Sequence, residues 1–156
     1  MTDDRNDSAR RFTLSRWAVA FCCWTLLIWG HSLVQGPQSS AESGMVVDLV
    51  RPLFEALGVS DVDLMTLVVR KGAHFAEYAV LGLLAWGTFR ARLRERGHAP
   101  FPAALLVALV PVCDEAIQLL VPGRSGQLSD VLLDLFGICC GVLLVVLFSA
   151  FARRRV

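Results

Sequence analysis

The chain has 156 residues, of which 55% are hydrophobic and 19% charged, with a formal net charge of +1 and a mean hydropathy of +0.57. One compact domain is the size bound, and an apolar share above the ~45–50% of soluble domains excludes a disordered or fibrous chain. The near-neutral charge excludes a nucleic-acid partner, because neutralising phosphates takes a clear cationic excess. A small integral membrane protein remains.

A bilayer span needs ~20 mostly apolar residues and, in lipid, has to be helical. Four stretches qualify. The first runs from about Leu14 to Val34, and the second starts between Asp61 and Thr66 and ends near Phe89. The third covers about Phe101 to Val121 and the fourth about Leu128 to Phe151. The predicted fold is an all-α membrane bundle of four transmembrane helices over 14–151, between an N-terminal tail (1–13) and a basic C-terminal tail (152–156).

Arginine sets the expected orientation. Arg5, Arg10, Arg11 and Arg16 precede the first span, Arg90, Arg92, Arg94 and Arg96 separate the second from the third, and Arg153 to Arg155 follow the fourth. These eleven arginines face only Asp3, Asp4, Asp7 and Glu95, whereas the rest of the chain carries ten acids against Arg51, Arg70, Lys71 and Arg124. The positive-inside rule makes the arginine-rich face and both termini cytoplasmic, with Trp17 and Trp86 in the inner aromatic belt. A rival reading makes the first span a signal peptide cut at Ser39-Ser40-Ala41. The run exceeds the ~7–15 residues of a signal h-region and ends with His31 and Ser32, which argues against cleavage.

The first outer loop is polar from Gln35 and then amphipathic. Val46, Leu49, Val50, Leu53 and Leu57 recur at helical spacing, which predicts a short interfacial helix, weakened by Pro52 and ended by Gly58. Ser60 and Asp63 resemble a capping box for the second span. The five cysteines, Cys22, Cys23, Cys113, Cys139 and Cys140, lack metal-ligand spacing and are expected to be small buried hydrophobes.

The polar residues inside the spans are the informative ones. Lys71, the sole lysine, is followed by His74, Glu77 and Tyr78; positions 71, 74 and 78 share a helix face with Glu77 beside it. The third span carries Asp114, Glu115 and Gln118 near its outer end, after Pro111, which is expected to kink it. Asp114 and Glu115 point ~100° apart, so one of the two is expected at the centre of the site and the other against Arg124. The fourth span opens with Asp130 and Asp134 on the face of Gly137 and Gly141, a GxxxG stripe expected to pack within the bundle. All of these map to the outer half, and charges in a span cost at least ~2.5–3.5 kcal/mol each on insertion scales, so they mark a functional site. The plainer readings are an N-terminal cap for Asp130, snorkelling for Arg70, and a structural hydrogen-bonded pair for His74 and Glu77.

KxxHFxEY at Lys71–Tyr78, DExxQ at Asp114–Gln118, PGR at Pro122–Arg124 and DxxxDxxGxxxG at Asp130–Gly141 together resemble the VanZ-like family. The family pattern usually has Asn where this chain has Asp134, an extra acid expected to change the site's charge or pair with Arg124. The resemblance implies a bacterial inner-membrane protein, in a family whose named member is associated with low-level teicoplanin resistance.

Glu77, Asp114, Glu115, Asp130 and Asp134 against Lys71 and Arg124 require compensation by protons, a protonated His74, a cation or a cationic ligand. The leading expectation is a recognition site for a lipid-linked precursor, a lipid head group or a glycopeptide. Lys71 and Arg124 would hold phosphate or carboxylate, with Tyr78, Gln118, Asp130 and Asp134 as further ligand-binding residues. The alternative is an enzyme acting on an envelope phosphate ester or amide, with His74 and Glu77 as acid/base pair tuned by Asp114 or Glu115. A metal variant would use His74, Glu77 and Asp114, but His-x-x-Glu by itself is a poor metal signature, and no cofactor is expected. Proton-coupled transport ranks last, because the chain has no internal repeat.

Overall fold

In the computed structural model, residues 16–96 and 101–153 are described. The tail at 1–13 and the arginines at 5, 10, 11, 154 and 155 lie outside the described residues. Five helices follow in order: α1 (Arg16–Ser32), α2 (Gly36–Ala56), α3 (Val62–Arg96), α4 (Phe101–Leu120) and α5 (Leu128–Arg153). Among the described residues there is no strand.

Among the described residues α4 and α5 are long and apolar enough to cross a membrane, and α1 with α2 passes the same test as a pair bent by 107°. At ~1.5 Å per residue, α3 is ~52 Å long, yet Arg70, Lys71 and Glu77 keep it from reading as an apolar span. It also runs to Arg96, beyond the end expected near Phe89.

Two local expectations change. The polar stretch after Gln35 is no loop: Pro37, whose fixed φ suits a first turn, begins a helix of 21 residues that passes through Pro52. Gly58, at φ +80°, ends it in a Schellman motif, with Gly58 N–H donating to Glu55 O (3.0 Å) and Val59 N–H to Phe54 O (2.9 Å). The cap of α3 is Asp61 instead of Ser60: its Oδ1 accepts from the N–H groups of Asp63 (2.9 Å) and Leu64 (3.2 Å).

Helices α3 and α5 form the most extensive pair. Glycines make that approach possible. A Cβ on Gly82 would lie 2.2 Å from Ile138 O, one on Gly137 2.7 Å from Phe75 O, and one on Gly141 1.9 Å from Ala79 O. The GxxxG stripe therefore packs within the chain, as expected. The core beside it comprises Phe21, Ile28, Tyr78, Leu81, Ala85, Val107, Val110 and Ile138. Helix α1 bridges α3 and α4 through two indoles, Trp24 donating to Glu77 O (2.9 Å) and Trp29 to Val110 O (3.2 Å). At the other end of α1, Trp17 packs on Gly87, and Arg90 stands 5.9 Å from its ring centroid.

The exterior is apolar, with Leu49, Leu120 and Phe148 each more than three-quarters exposed. Four of the five free cysteines are on this exterior and Cys140 is half-buried, which corrects the expectation of burial. A small side chain facing outward has no packing partner to satisfy.

Candidate functional site

The C-terminal end of α1, the N-terminal half of α3, the C-terminal end of α4 and the start of α5 meet at one end of the bundle. The first group there is wholly internal. Asp114, Glu115 and Asp134 are buried and His74 is nearly so, and one donor atom from each lies within 4.8 Å of the others. Both acids of the Asp114-Glu115 pair reach this group, because α4 is covered on one side by α1 and on the other by the turn into α5. Ser32 Oγ donates to Asp114 Oδ1, and Gln118 Nε2 donates to Asp114 Oδ2 (3.3 Å). Glu115 Oε2 accepts the backbone N–H of Gln127 (2.8 Å).

His74 faces Asp134 across the α3–α5 contact, Nδ1 to Oδ1 at 3.5 Å. It does not pair with Glu77. That partner is His31, whose Nδ1 is 3.7 Å from Glu77 Oε1 and whose Nε2 is 3.3 Å from Glu42 Oε2. The i, i+3 pairing expected within α3 gives way because the two side chains diverge toward different neighbouring helices.

Lys71 forms an ion pair with Asp130, whose other oxygen is 3.9 Å from Arg70. Asp130 is thus the buried counter-charge of α3, and Lys71 is already engaged. Tyr78 is fully buried in the core with its hydroxyl unpartnered.

Arg124 departs furthest from expectation, since it pairs with none of Asp114, Glu115 or Asp134. Its guanidinium donates to Val34 O (3.0 Å), His31 O (3.5 Å) and Ser39 Oγ (2.8 Å), clasping the α1–α2 corner. Gly36 completes the clasp, its N–H donating to Pro122 O (3.2 Å), and a Cβ there would stand 2.0 Å from Gly123 O. Burial pushes the Arg124 guanidinium below its usual range and the Asp114 charge opposes the shift; it stays cationic.

A cavity of about 300 Å³ opens beside these groups. Arg70, Arg124, His31, His74, Glu42, Glu77 and Gln118 line it, with serines 39, 40, 43 and 125. Of the residues singled out from sequence, His74, Glu77, Gln118 and Arg124 reach this cavity, whereas Asp114, Glu115 and Asp134 belong to the buried group behind it. His74 belongs to both. Sequence reasoning missed His31, Ser32, Ser39 and Glu42. Their signal was faint: a histidine and a serine closing an apolar run, followed by a polar segment with turn composition.

The VanZ/LLP1 family model matches residues 17–149. No curated protein and no solved structure matches the chain.

Proposed function

The chain belongs to the VanZ/LLP1 family, and from that premise we propose a four-span bacterial inner-membrane protein whose cavity opens outward and binds the polar head of an envelope molecule. Lipid-linked wall precursors, lipid head groups and glycopeptides such as teicoplanin share the needed chemistry: an anionic phosphate or carboxylate beside amide, hydroxyl or ammonium groups. The observation that carries the reading is the cavity's lining. It combines two guanidiniums, two carboxylates, two imidazoles and several hydroxyls in about 300 Å³, within the ~300–1,000 Å³ of small-molecule sites. Arg70 takes the anion-binding part first expected of Lys71, because Asp130 neutralises Lys71. Arginine's fork suits phosphate and carboxylate.

Four spans follow if α3 crosses despite its charges, which the polar interior compensates, and if α1 crosses while α2 lies at the outer surface. Reporter fusions at residue 95 check this: a cytoplasmic signal is expected, and an external one overturns the orientation. For binding, purified protein is offered a polyprenyl diphosphate, a zwitterionic phospholipid and teicoplanin, and retention is read by native mass spectrometry. One of the three is expected to be retained at one per chain, with Arg70→Ala weakening it about tenfold, the scale of one charge-assisted contact. Retention of none, or retention indifferent to Arg70, refutes the reading.

The His31–Glu77 pair in the cavity wall favours acid/base chemistry on the bound head group as a second reading. Glu77→Gln that still binds but has lost turnover supports catalysis; unchanged turnover removes Glu77 as the base.

A further inference from the structure

Behind the cavity, four ionisable side chains from three helices converge, three of them buried and His74 reaching the cavity wall. His74 comes from α3, Asp114 and Glu115 from α4, and Asp134 from α5. Asp134 is completely buried, and neither of its carboxylate oxygens has a hydrogen-bond partner; Glu115 Oε1 and His74 Nδ1 also have none. Such orphaned buried acceptors are rare in folded chains.

A cluster of buried carboxylates is satisfied by shared protons, by a protonated imidazole or by a bound cation. Proton sharing between a carboxyl and a carboxylate brings their oxygens to about 2.5–2.7 Å, and no such contact is made here: neither Asp134 oxygen has a hydrogen-bond partner among the described residues, and His74 Nδ1 stands 3.5 Å from Oδ1. The group's single imidazole, 3.5 Å from Asp134 Oδ1, offers at most one positive charge to three buried carboxyl groups. A bound cation needs no direct contact between carboxyl oxygens. Ligands on opposite sides of one ion at ~2.0–2.2 Å stand about 4.0–4.4 Å apart, and here all four donor atoms lie within 4.8 Å of one another. Neighbouring ligands of a tetrahedral ion stand closer, at about 3.3–3.6 Å, so side-chain rotations that shorten the wider separations would close the four around one ion.

We propose that His74, Asp114, Glu115 and Asp134 bind one divalent transition-metal ion at the floor of the cavity. One imidazole with three carboxylates is the donor set of Mn²⁺, Fe²⁺ or Zn²⁺, since imidazole is a poor ligand for Ca²⁺ and Mg²⁺. The supports that orient metal ligands are in place. Ser32 and Gln118 hold Asp114, and the Gln127 N–H holds one oxygen of Glu115 while the other stays free for the ion. Glu77, which the sequence pattern grouped with His74, is engaged by His31 and lies outside the set. Because His74 also lines the cavity, the ion borders the space where a head group would sit.

The test needs no envelope molecule, so its failure and the failure of the binding reading are separate. The full chain is purified in detergent, stripped with chelator, and titrated with Mn²⁺ and Zn²⁺, and bound metal is counted by elemental mass spectrometry after desalting. About one ion per chain is expected. Asp134→Asn and His74→Ala are expected to abolish stoichiometric binding, and Ser32→Ala to weaken it about 10–100-fold by freeing Asp114. Co²⁺ substitution supplies a second readout: a visible band that His74→Ala shifts or removes. If Asp134→Asn does not fold, judged by helicity and elution volume, the Ser32→Ala and Co²⁺ results decide. A folded, stripped wild-type chain that stays metal-free at millimolar ion overturns the proposal, as does a folded Asp134→Asn that binds like wild type.

Discussion

Substituting Gly141 by alanine tests the α3–α5 contact on which the buried group depends. A Cβ there would lie 1.9 Å from Ala79 O and 2.8 Å from Ala79 C, whereas carbon and carbonyl oxygen rest at about 3.3 Å or more. The helices have to part by about 1.4 Å along that direction, and the obstacle is backbone, so no rotamer change relieves it. Overpacking of this kind costs about 1–3 kcal/mol, and the helix propensity gained by replacing glycine returns less than ~1 kcal/mol. The control is Gly72→Ala, on the partner helix α3, where a Cβ meets nothing within 4 Å; it should be neutral or slightly stabilising. Unfolding of the purified protein in mixed micelles, followed by tryptophan fluorescence, measures both. Gly141→Ala is expected to lower the unfolding free energy by about 1–3 kcal/mol relative to Gly72→Ala. Equal stability would refute the claim that this contact is close-packed backbone to backbone.

Two more outcomes follow from ion pairs and the helix corner. Lys71→Met leaves the buried Asp130 with Arg70, at 3.9 Å, as its remaining cation and the Ser129 hydroxyl at 3.3 Å; we expect a loss of about 1–3 kcal/mol, discounted from the 3–5 of a fully buried pair because Lys71 is one-third exposed. Adding Asp130→Asn should recover most of it, which a double-mutant cycle in the same unfolding assay reads directly. Arg124→Lys keeps the charge but not the fork that reaches Val34 O and Ser39 Oγ together. It is expected to raise proteolysis at the α1–α2 corner while leaving the far end near Trp17 protected.

Much of the architecture was legible because lipid demands a simple pattern. The third and fourth apolar runs match α4 and α5 within two residues, and the glycine stripe and the charged residues of α3, α4 and α5 converge as their common level implied. What was not legible depends on partners distant in sequence. His74 and Glu77 read as a pair because they lie one turn apart, but their partners are Asp134 and His31, which the chain supplies from α5 and α1. Arg124 read as a counter-ion because acids were near it in sequence, while its actual partners include main-chain carbonyls that no residue pattern displays. Helix α2 was half missed because its first turns are rich in Ser and Gly, weaker helix formers held in place by Pro37 and the clasp at Gly36.

The Lys71–Asp130 pair also fixes an order of events during synthesis. Its members are 59 residues apart, so at about 5–20 residues per second Lys71 is made roughly 3–12 s before its counter-charge exists. Through that interval α3 carries an uncompensated ammonium and an imidazole without its carboxylate. Helix α3 can meet α1 and α2 early, but its ammonium waits for the last helix, and a chain stalled or cut before Asp130 presents the insertion machinery with a Lys71 that lacks its counter-charge.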